Sequence, residues 1–282
     1  TARLATAVTA PLLIAGASLA LSAAPTQAKG ACDDGDLAVL SSPVAPWKGA
    51  PLRVVFAAEH AIQGELSLIA PDGSIAAKSR QRYGGPPYFW FVEVQSPAAG
   101  TWRATLAGSD CTREIAVRGD EPPRPSATAG TVWPLRNTWN RATENLFSAW
   151  VEKLFDAPLD AAPSWPALHE VLRDRSRNIL FNHLGLGEDE MKIVLRPDCA
   201  DLPYFLRAYF AFKMGLPFGF SKCSRGGAGK PPKCFGWASS RRTSGSSSHS
   251  SHARPWRRGA SPVAAPSSWR PSTSRARSTS AP

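Results

Sequence analysis

The residue best placed for nucleophilic chemistry is Cys199. The apolar run before it predicts a short strand that leads through a proline turn, and the apolar residues that follow recur at helical spacing as far as Gly215, which predicts a helix that begins at the cysteine. At a helix N-terminus, unpaired backbone N–H groups and the macrodipole favour the thiolate, which is the nucleophilic form of cysteine. The same N–H groups can stabilise an oxyanion on an attacked carbonyl. This placement predicts a catalytic thiol, and an inert buried thiol is the other interpretation.

The cysteine count supports a free thiol at this position. The chain has five cysteines, so a full set of disulfides leaves one of them unpaired. Cys32 and Cys111 lie at the two ends of a strand-rich region that a bridge would tie together. Cys223 and Cys234 flank a Gly- and Pro-rich loop that a bridge would close, and Cys199 is then free. A metal site is the alternative, but no C-x-x-C pair or His–Cys ligand spacing occurs, so we predict no metal and no other cofactor.

Residues 29–118 have the pattern of an all-β sandwich module. Short apolar and β-branched runs are separated by turn sequences such as Ala70-Pro71-Asp72-Gly73. The aromatic run at 88–91 is interpreted as core, with a carbohydrate-stacking surface as the alternative. A proline-rich linker at 119–130 is predicted to be stiff and to mark a domain boundary. The predicted strands cover residues 52–56, 64–69, 88–94, 101–106 and 112–117.

Residues 131–236 contain Cys199 and predict an α+β unit. Apolar residues at helical spacing predict a first helix that ends near Phe155. Pro166, a favourable residue in the first turn of a helix, opens a second predicted helix that runs to about Leu180. The helix that follows Cys199 is the third. The first two helices are packing elements on this interpretation, and the third positions the thiol.

Residues 197–218 resemble the nucleophile segment of papain-like cell-wall peptidases. The sequence Asp198-Cys199-Ala200-Asp201, the predicted helix that ends near Gly215 and the following Leu216-Pro217 are similar to the Asp-Cys-Ser-Gly, helix, Gly and Leu-Pro order of the NlpC family. Transglutaminase-like cysteine peptidases use a similar cysteine-led helix and are the second family that fits. This sequence departs from the pattern by having Ala-Asp where Ser-Gly is common. No recognisable downstream strand carries a histidine, so the resemblance implies a truncated papain-like half-domain.

The resemblance implies that Cys199 attacks an amide, such as the D-glutamyl–diaminopimelate bond of peptidoglycan. It also implies that Asp198 and Asp201, which flank the cysteine, contact the substrate. Family members take a histidine and a third polar residue from later strands, so the missing histidine predicts an inactive enzyme here. The alternative is a non-catalytic envelope protein whose β module binds a ligand. The expected partner is peptidoglycan or another envelope peptide or glycan.

Residues 1–28 have the layout of a secretory signal peptide. Arg3 precedes an apolar run that Pro11 and Gly16 interrupt, and small residues precede the predicted cleavage site after Ala28. The other interpretation, a membrane anchor, is disfavoured because small and polar residues weaken the run as a span. We therefore predict an exported protein, periplasmic or extracellular, with no membrane partner after cleavage. Such a compartment also permits disulfides.

Residues 237–282 differ in composition from the rest of the chain. They contain fifteen serines, eight arginines and no acidic residue. They supply +8 of the net charge of +11 and leave +3 for the first 236 residues, so no nucleic-acid partner is predicted. The segment predicts a disordered tail that follows the papain-like unit where its sheet should begin. We interpret it as an out-of-frame translation of GC-rich DNA, with a natural basic tail as the alternative.

Overall fold

The computed structural model describes residue 32 and residues 36–123, 132–224 and 226–240. The predicted signal peptide, part of the predicted linker and the Ser/Arg-rich segment beyond residue 240 lie outside the described residues. The described chain is mostly antiparallel β-sheet with three helices. Within this part of the chain, no helix is both long enough and apolar enough to cross a membrane.

The N-terminal region contains two four-stranded antiparallel sheets, an arrangement compatible with the predicted β-sandwich. The first sheet has the strand order β1-β2-β6-β5 and the second has the order β4-β3-β7-β8. The strands are β1 (Leu37–Ser42), β2 (Leu52–Ala58), β3 (Leu66–Ile69), β4 (Ile75–Ser79), β5 (Tyr83–Gly84), β6 (Tyr88–Val94), β7 (Gly100–Leu106) and β8 (Thr112–Val117).

A single apolar core joins the two sheets, because alternate side chains of each strand point between them. Phe56, Trp90 and Trp102 are the largest side chains in this core, and each is almost fully buried. The Cys32–Cys111 disulfide belongs to the same core and has an S–S distance of 2.10 Å. This pairing agrees with the prediction that a bridge ties the ends of the strand-rich region.

Strand β2 is buried on both of its faces. Its even-numbered residues belong to the core between the sheets, whereas Val55 and Ala57 belong to a second core formed with the helices. The Arg53 side chain also points to the helical side, where it bonds to residues 178–181. The predicted sandwich and the predicted cysteine-bearing region therefore share a core on the outer face of the first sheet.

The helical layer consists of α1 (Arg141–Phe155), α2 (Leu168–Arg173) and α3 (Leu202–Met214). Helix α1 begins with a reciprocal cap: the N–H of Thr143 donates to the Asn140 side chain, and the N–H of Asn140 donates to the Thr143 hydroxyl, both at 2.9 Å. Leu146, Ala149 and Trp150 then lie on one face of α1 and pack in the core against the first sheet. The first predicted helix is thus present.

The second predicted helix is wrong in its length. Helix α2 ends at Arg173, whereas the apolar spacing predicted a helix to about Leu180. The Asp174 carboxylate accepts hydrogen bonds from the N–H and the hydroxyl of Ser176, at 2.9 and 2.6 Å. Local side-chain bonds of this kind compete with helical hydrogen bonds. Residues 174–180 consequently form turns instead of a further helical segment.

Helix α3 and a hairpin complete the described chain. Gly215 ends α3 with a left-handed φ of 64°, a conformation that glycine adopts without steric cost. The strands β9 (Gly219–Cys223) and β10 (Cys234–Ser239) pair in an antiparallel hairpin. The predicted Cys223–Cys234 disulfide joins them at an S–S distance of 2.01 Å. Strand β10 extends three residues past the predicted boundary at residue 236, and the N–H of Ser240 then donates to the Phe218 carbonyl at 2.7 Å.

Candidate active site

Cys199 lies in the turn that leads into α3. Its side chain is exposed, and its thiol is free because the other four cysteines form the two disulfides. The N–H of Leu202 donates to the Asp198 carbonyl at 2.9 Å, so helical hydrogen bonding starts one residue before the cysteine. The predicted start of the helix is wrong by three residues, because α3 begins at Leu202 and Cys199 lies in the turn before it. Residues 192–198, predicted as a short strand, have no regular secondary structure.

The backbone around the cysteine is held by the Asp198 carboxylate. Its Oδ1 atom accepts from the N–H groups of Ala200 at 2.9 Å and Asp201 at 2.8 Å, so these two donors are already used. The N–H of Cys199 itself has no acceptor among the described residues, and it is the donor that an oxyanion at this turn could use. The Asp201 side chain is exposed and does not cap α3. Substrate contact by Asp198 and Asp201 stays a prediction.

A cysteine nucleophile of this type needs a general base within hydrogen-bond reach. Among the described residues, no side chain is hydrogen-bonded to the Cys199 thiol. His60 is exposed immediately after β2. His169 accepts a hydrogen bond from the N–H of Leu195 through Nδ1, at 3.1 Å, and so contributes to the packing of α2. Neither of these histidines is paired with the thiol.

The third described histidine, His183, is buried in the helical layer. Burial, together with the nearby Lys213 cation, lowers the pKa of His183 to about 3, so its ring is neutral near neutral pH. His249 and His252 lie outside the described residues. The described structure therefore presents Cys199 as an accessible thiol without a bonded base.

A surface groove lies between α1 and α3, beside the cysteine-bearing turn. Its volume is about 660 Å³, and its wall includes Leu202, three residues after Cys199 in the chain. Most of the lining is apolar, from Phe147, Val151 and Leu206 among others, with Glu152 as a carboxylate on the α1 side. Burial, aided by the charge of Asp156, raises the pKa of Glu152. Cys199 does not line the groove, which reaches the cysteine-bearing turn only through Leu202.

A buried ion cluster lies at the other end of α3. Lys213 is 1% exposed, and its Nζ atom lies 2.5 Å from Glu188 Oε1 and 2.5 Å from Asp189 Oδ2. Backbone N–H groups of Leu184 and Asn182 donate to the same two carboxylates, at 2.9 and 2.7 Å. Burial alone would raise the pKa of Glu188, but the Lys213 cation and these bonds outweigh it and the pKa lies below its ordinary value.

The cluster continues as a chain of neutral groups into the helical core. The Tyr209 hydroxyl donates to Asp189 Oδ1 at 2.8 Å and accepts from Asn178 Nδ2 at 2.8 Å, and Trp150 Nε1 donates to Asn178 Oδ1 at 2.9 Å. Burial and the Asp189 charge raise the pKa of Tyr209 well above its ordinary value. This network was not predicted from the sequence. A lysine within the apolar run of α3 is the signal that could have indicated it.

Arg53 of β2 connects this layer to the first sheet. Its guanidinium donates to the backbone carbonyls of Asn178 and Ile179, at 3.3 and 3.2 Å, and to that of Phe181 at 2.6 Å. Burial lowers the pKa of Arg53. Next to it, the Val44 N–H donates to the His183 carbonyl at 2.7 Å. The edge of the first sheet and residues 178–183 are thus joined by directional polar contacts rather than by apolar packing alone.

A cavity of about 190 Å³ lies between α2, α3, residues 188–195 and the β9–β10 hairpin. Its lining is mostly apolar, with contributions from Leu172, Ile193, Leu195, Phe205, Phe212 and Phe218. Glu188, Asp189 and Tyr209 of the buried network form part of the same wall. Cys199 does not line this cavity, so the thiol and the cavity are separate features of α3.

Asp36, Glu59 and His60 meet where β1 begins and β2 ends. Each offers a ligand atom, and these atoms lie within 4.8 Å of one another. The Arg141 guanidinium lies 2.9 Å from Glu59 Oε1 and 4.0 Å from Asp36 Oδ1. Because this cation already pairs with both carboxylates, the three residues are better described as an ion-pair cluster at the start of α1 than as metal ligands.

No protein-family model, curated protein or solved structure matches this chain. The resemblance to papain-like peptidases therefore rests on residues 197–218. What the structure adds to that motif is the position of the thiol and the groove beside it.

Proposed function

We propose that this protein is an exported cysteine amidase or peptidase of papain-like type that acts on a cell-envelope peptide such as that of peptidoglycan. The observation that carries the proposal is the exposed, unpaired Cys199 in the turn that leads into α3, in a chain whose other four cysteines are paired. A cysteine nucleophile has to be unpaired and accessible to its substrate, and this thiol is both. The paired cysteines are what an oxidising compartment outside the cytoplasm allows.

The reaction expected of this thiol is acyl transfer. The Cys199 sulfur attacks an amide carbonyl, and the developing oxyanion is bound by the free N–H of Cys199. Collapse of the intermediate breaks the C–N bond, releases the amine with a proton and leaves a thioester, which water hydrolyses. The groove between α1 and α3 would hold the peptide during these steps.

The described residues include no base that is bonded to the Cys199 thiol. Papain-like enzymes use a histidine to deprotonate and orient the thiol, and no described histidine is bonded to Cys199. We therefore assign the base to none of the described residues and expect turnover by this chain to be lower by orders of magnitude than that of a complete Cys–His enzyme.

External imidazole can replace a missing histidine, and this gives a direct test. The purified chain is incubated with a muropeptide that contains the D-glutamyl–diaminopimelate bond, with and without imidazole, and amine release is measured. We expect imidazole-dependent release that the variant Cys199→Ser lacks. Iodoacetamide should also alkylate Cys199 faster than a model thiol at pH 7. Alkylation at the model rate, together with no imidazole-dependent release, would contradict the proposal.

A second candidate function is envelope binding without catalysis, which the absence of a bonded base favours. Its weak point is the aromatic strand β6, where Phe89 and Trp90 are buried and cannot stack on a glycan. Co-sedimentation with purified peptidoglycan tests this candidate. Binding that is equal for the natural chain and Cys199→Ser, without any amine release, would favour it over the amidase.

A further inference from the structure

The cavity behind α3 is not used by the proposed amidase and has a distinct chemical character. It has a volume of about 190 Å³ and is lined by side chains from α2, α3, residues 188–195 and the β9–β10 hairpin. A dry cavity of about 150 Å³ lined by Leu, Ile and Phe is large enough to bind benzene. By volume, the cavity in this protein therefore has space for one aromatic ring with a small substituent, or for a short alkyl chain.

The charged groups on the cavity wall are already paired within the protein. Glu188 and Asp189 both bind the Lys213 ammonium, at 2.5 Å each. The Arg173 guanidinium donates to three backbone carbonyls, those of Asp189, Met191 and Ile193. A charged ligand would therefore lose its hydration without gaining a free partner of opposite charge.

The neutral groups of the buried network are satisfied in the same way. The Tyr209 hydroxyl both donates to Asp189 and accepts from Asn178, at 2.8 Å in each case. The Ser240 hydroxyl accepts from the N–H of Phe218 at 3.0 Å. His169 also lines the cavity; its Nδ1 accepts from the N–H of Leu195, and its other ring nitrogen has no partner among the described residues. A ligand with several hydrogen-bonding groups would still have to break the bonds of the network or leave most of its own groups unpaired, and unpaired burial is costly.

We propose that this cavity is a binding site for a compact, neutral, apolar group, either a single aromatic ring or a short alkyl chain. The size follows from the volume, and the chemical class follows from a wall whose charges are internally paired. An occupant would contact α2, α3 and the hairpin at once. It would thereby stabilise the attachment of the β9–β10 hairpin to the helical layer, a role that does not depend on the thiol.

The test uses the full chain with toluene as the probe and benzylamine as a size-matched charged control. Thermal unfolding is followed over a range of toluene concentrations. A ligand that binds only the folded state at ten times its Kd should raise Tm by about 3–5 °C for a protein of this size. We expect a saturable rise with toluene and a much smaller one with benzylamine. No saturable rise, or an equal rise with benzylamine, would overturn the proposal.

Two variants locate the site. Ala208 lies on α3 in the cavity wall, so Ala208→Leu should fill the space and abolish the toluene effect. Ala116→Leu, at an exposed position on β8 outside both the cavity and the groove, is the matched control and should respond like the natural chain. An undiminished effect in Ala208→Leu would contradict the assignment.

A measurement on the unaltered chain covers the case in which Ala208→Leu fails to fold. Intermolecular nuclear Overhauser effects from toluene should reach the methyl groups of Ile193 and Leu195, which line the cavity. Effects that reach only other methyl groups would overturn the proposal. Cys199→Ser should bind toluene as the natural chain does, so failure of this site and failure of the proposed amidase are separate results.

Discussion

The two faces of the first sheet are buried by different means. On the face toward the second sheet, the core is apolar and includes Phe56, Trp90 and Trp102, with the Cys32–Cys111 disulfide at its margin. On the opposite face, toward the helices, apolar packing is combined with charge. The buried charged residues of the described chain all lie on this helical side: Arg53, Glu188, Asp189 and Lys213.

Apolar burial and charged burial contribute differently to the stability and the geometry of the fold. Apolar packing stabilises through area and volume and tolerates several arrangements of similar size. A buried ion cluster adds little net stability compared with apolar residues of the same shape, but it is strongly destabilising when one partner is missing. The sandwich side therefore supplies stability, and the helical side adds directional contacts that fix where α3, and with it the cysteine-bearing turn, lies relative to the sheet.

Removal of the central cation should have the largest effect on stability. Lys213→Met leaves two buried carboxylates without their cation, and we expect a loss of about 3–5 kcal/mol in the free energy of unfolding, measured with urea. Lys78→Met, at an exposed position on β4, is the matched control and should change it by less than about 0.5 kcal/mol. Further neutralisation by Glu188→Gln and Asp189→Asn should recover part of the loss. A loss below about 1 kcal/mol for Lys213→Met would show that the cluster is solvated.

An apolar truncation on the sandwich side should come next in size. Leu66 is fully buried between the sheets, so Leu66→Ala is expected to cost about 3 kcal/mol through lost burial and the cavity that remains. The residues packed in this core are apolar. The same loss is therefore expected at pH 7 and pH 5. A loss that changes strongly between these pH values would mean that the two faces are not energetically distinct.

Acid should weaken the helical side more than the sandwich side. The pKa of His183 is about 3 in the folded chain against an ordinary value of 6.5, so between these values the unfolded chain binds a proton that the folded chain does not. Stability should therefore fall as the pH is lowered below 6.5, by about 1.4 kcal/mol per pH unit, or about 2.5 kcal/mol by pH 4.5.

Two variants test that this slope belongs to His183. His183→Leu should remove most of the slope between pH 6.5 and 4.5, whereas His169→Leu should retain it, because His169 is not buried. Urea unfolding at several pH values gives the measurement. An unchanged slope in His183→Leu would assign the proton uptake to other groups.

The sandwich side could be predicted from sequence to a greater extent than the helical side. Strands β2, β3, β6, β7 and β8 lie where period-two runs and turn residues indicated them, and both disulfides were predicted from cysteine spacing. Three strands of the sandwich were missed. Strand β5 has two residues and β4 is largely exposed, so neither carries an apolar alternation. Strand β1 was missed for another reason: it is buried on both faces, with Leu37 in the core between the sheets and Leu40 in the core with the helices, so its apolar residues do not alternate. A period-two apolar pattern arises when one face of a strand packs against another sheet, and this is how most strands of the sandwich are buried.

The ion cluster shows why the rest of the site was not predictable. Lys213 is 25 residues from Glu188 and 24 residues from Asp189 in the sequence. It contacts them only because α3 packs against residues 178–190. The second predicted helix ends early because the Asp174 carboxylate accepts a local hydrogen bond from the Ser176 hydroxyl. The spacing of apolar residues gives no sign of this bond. Contacts such as those of Lys213 depend on tertiary geometry. The end of α3 at Gly215 depends on local sequence and was predicted, whereas its start was predicted at Cys199 and lies at Leu202.

The smallest effect expected is at the start of α1, the helix that rests on the outer face of the first sheet. Asn140→Ala removes a side chain that accepts the N–H of Thr143, and loss of such a cap costs about 1 kcal/mol. Asn140→Ser should keep most of the stability, because serine can accept the same bond. Since α1 packs on β1 and β2, hydrogen exchange should show the loss in α1 and leave the strands of the second sheet unchanged. Equal loss of protection in both sheets would mean that the two faces of the first sheet unfold as one cooperative unit. The apolar and polar sides would then differ in composition but not in local stability.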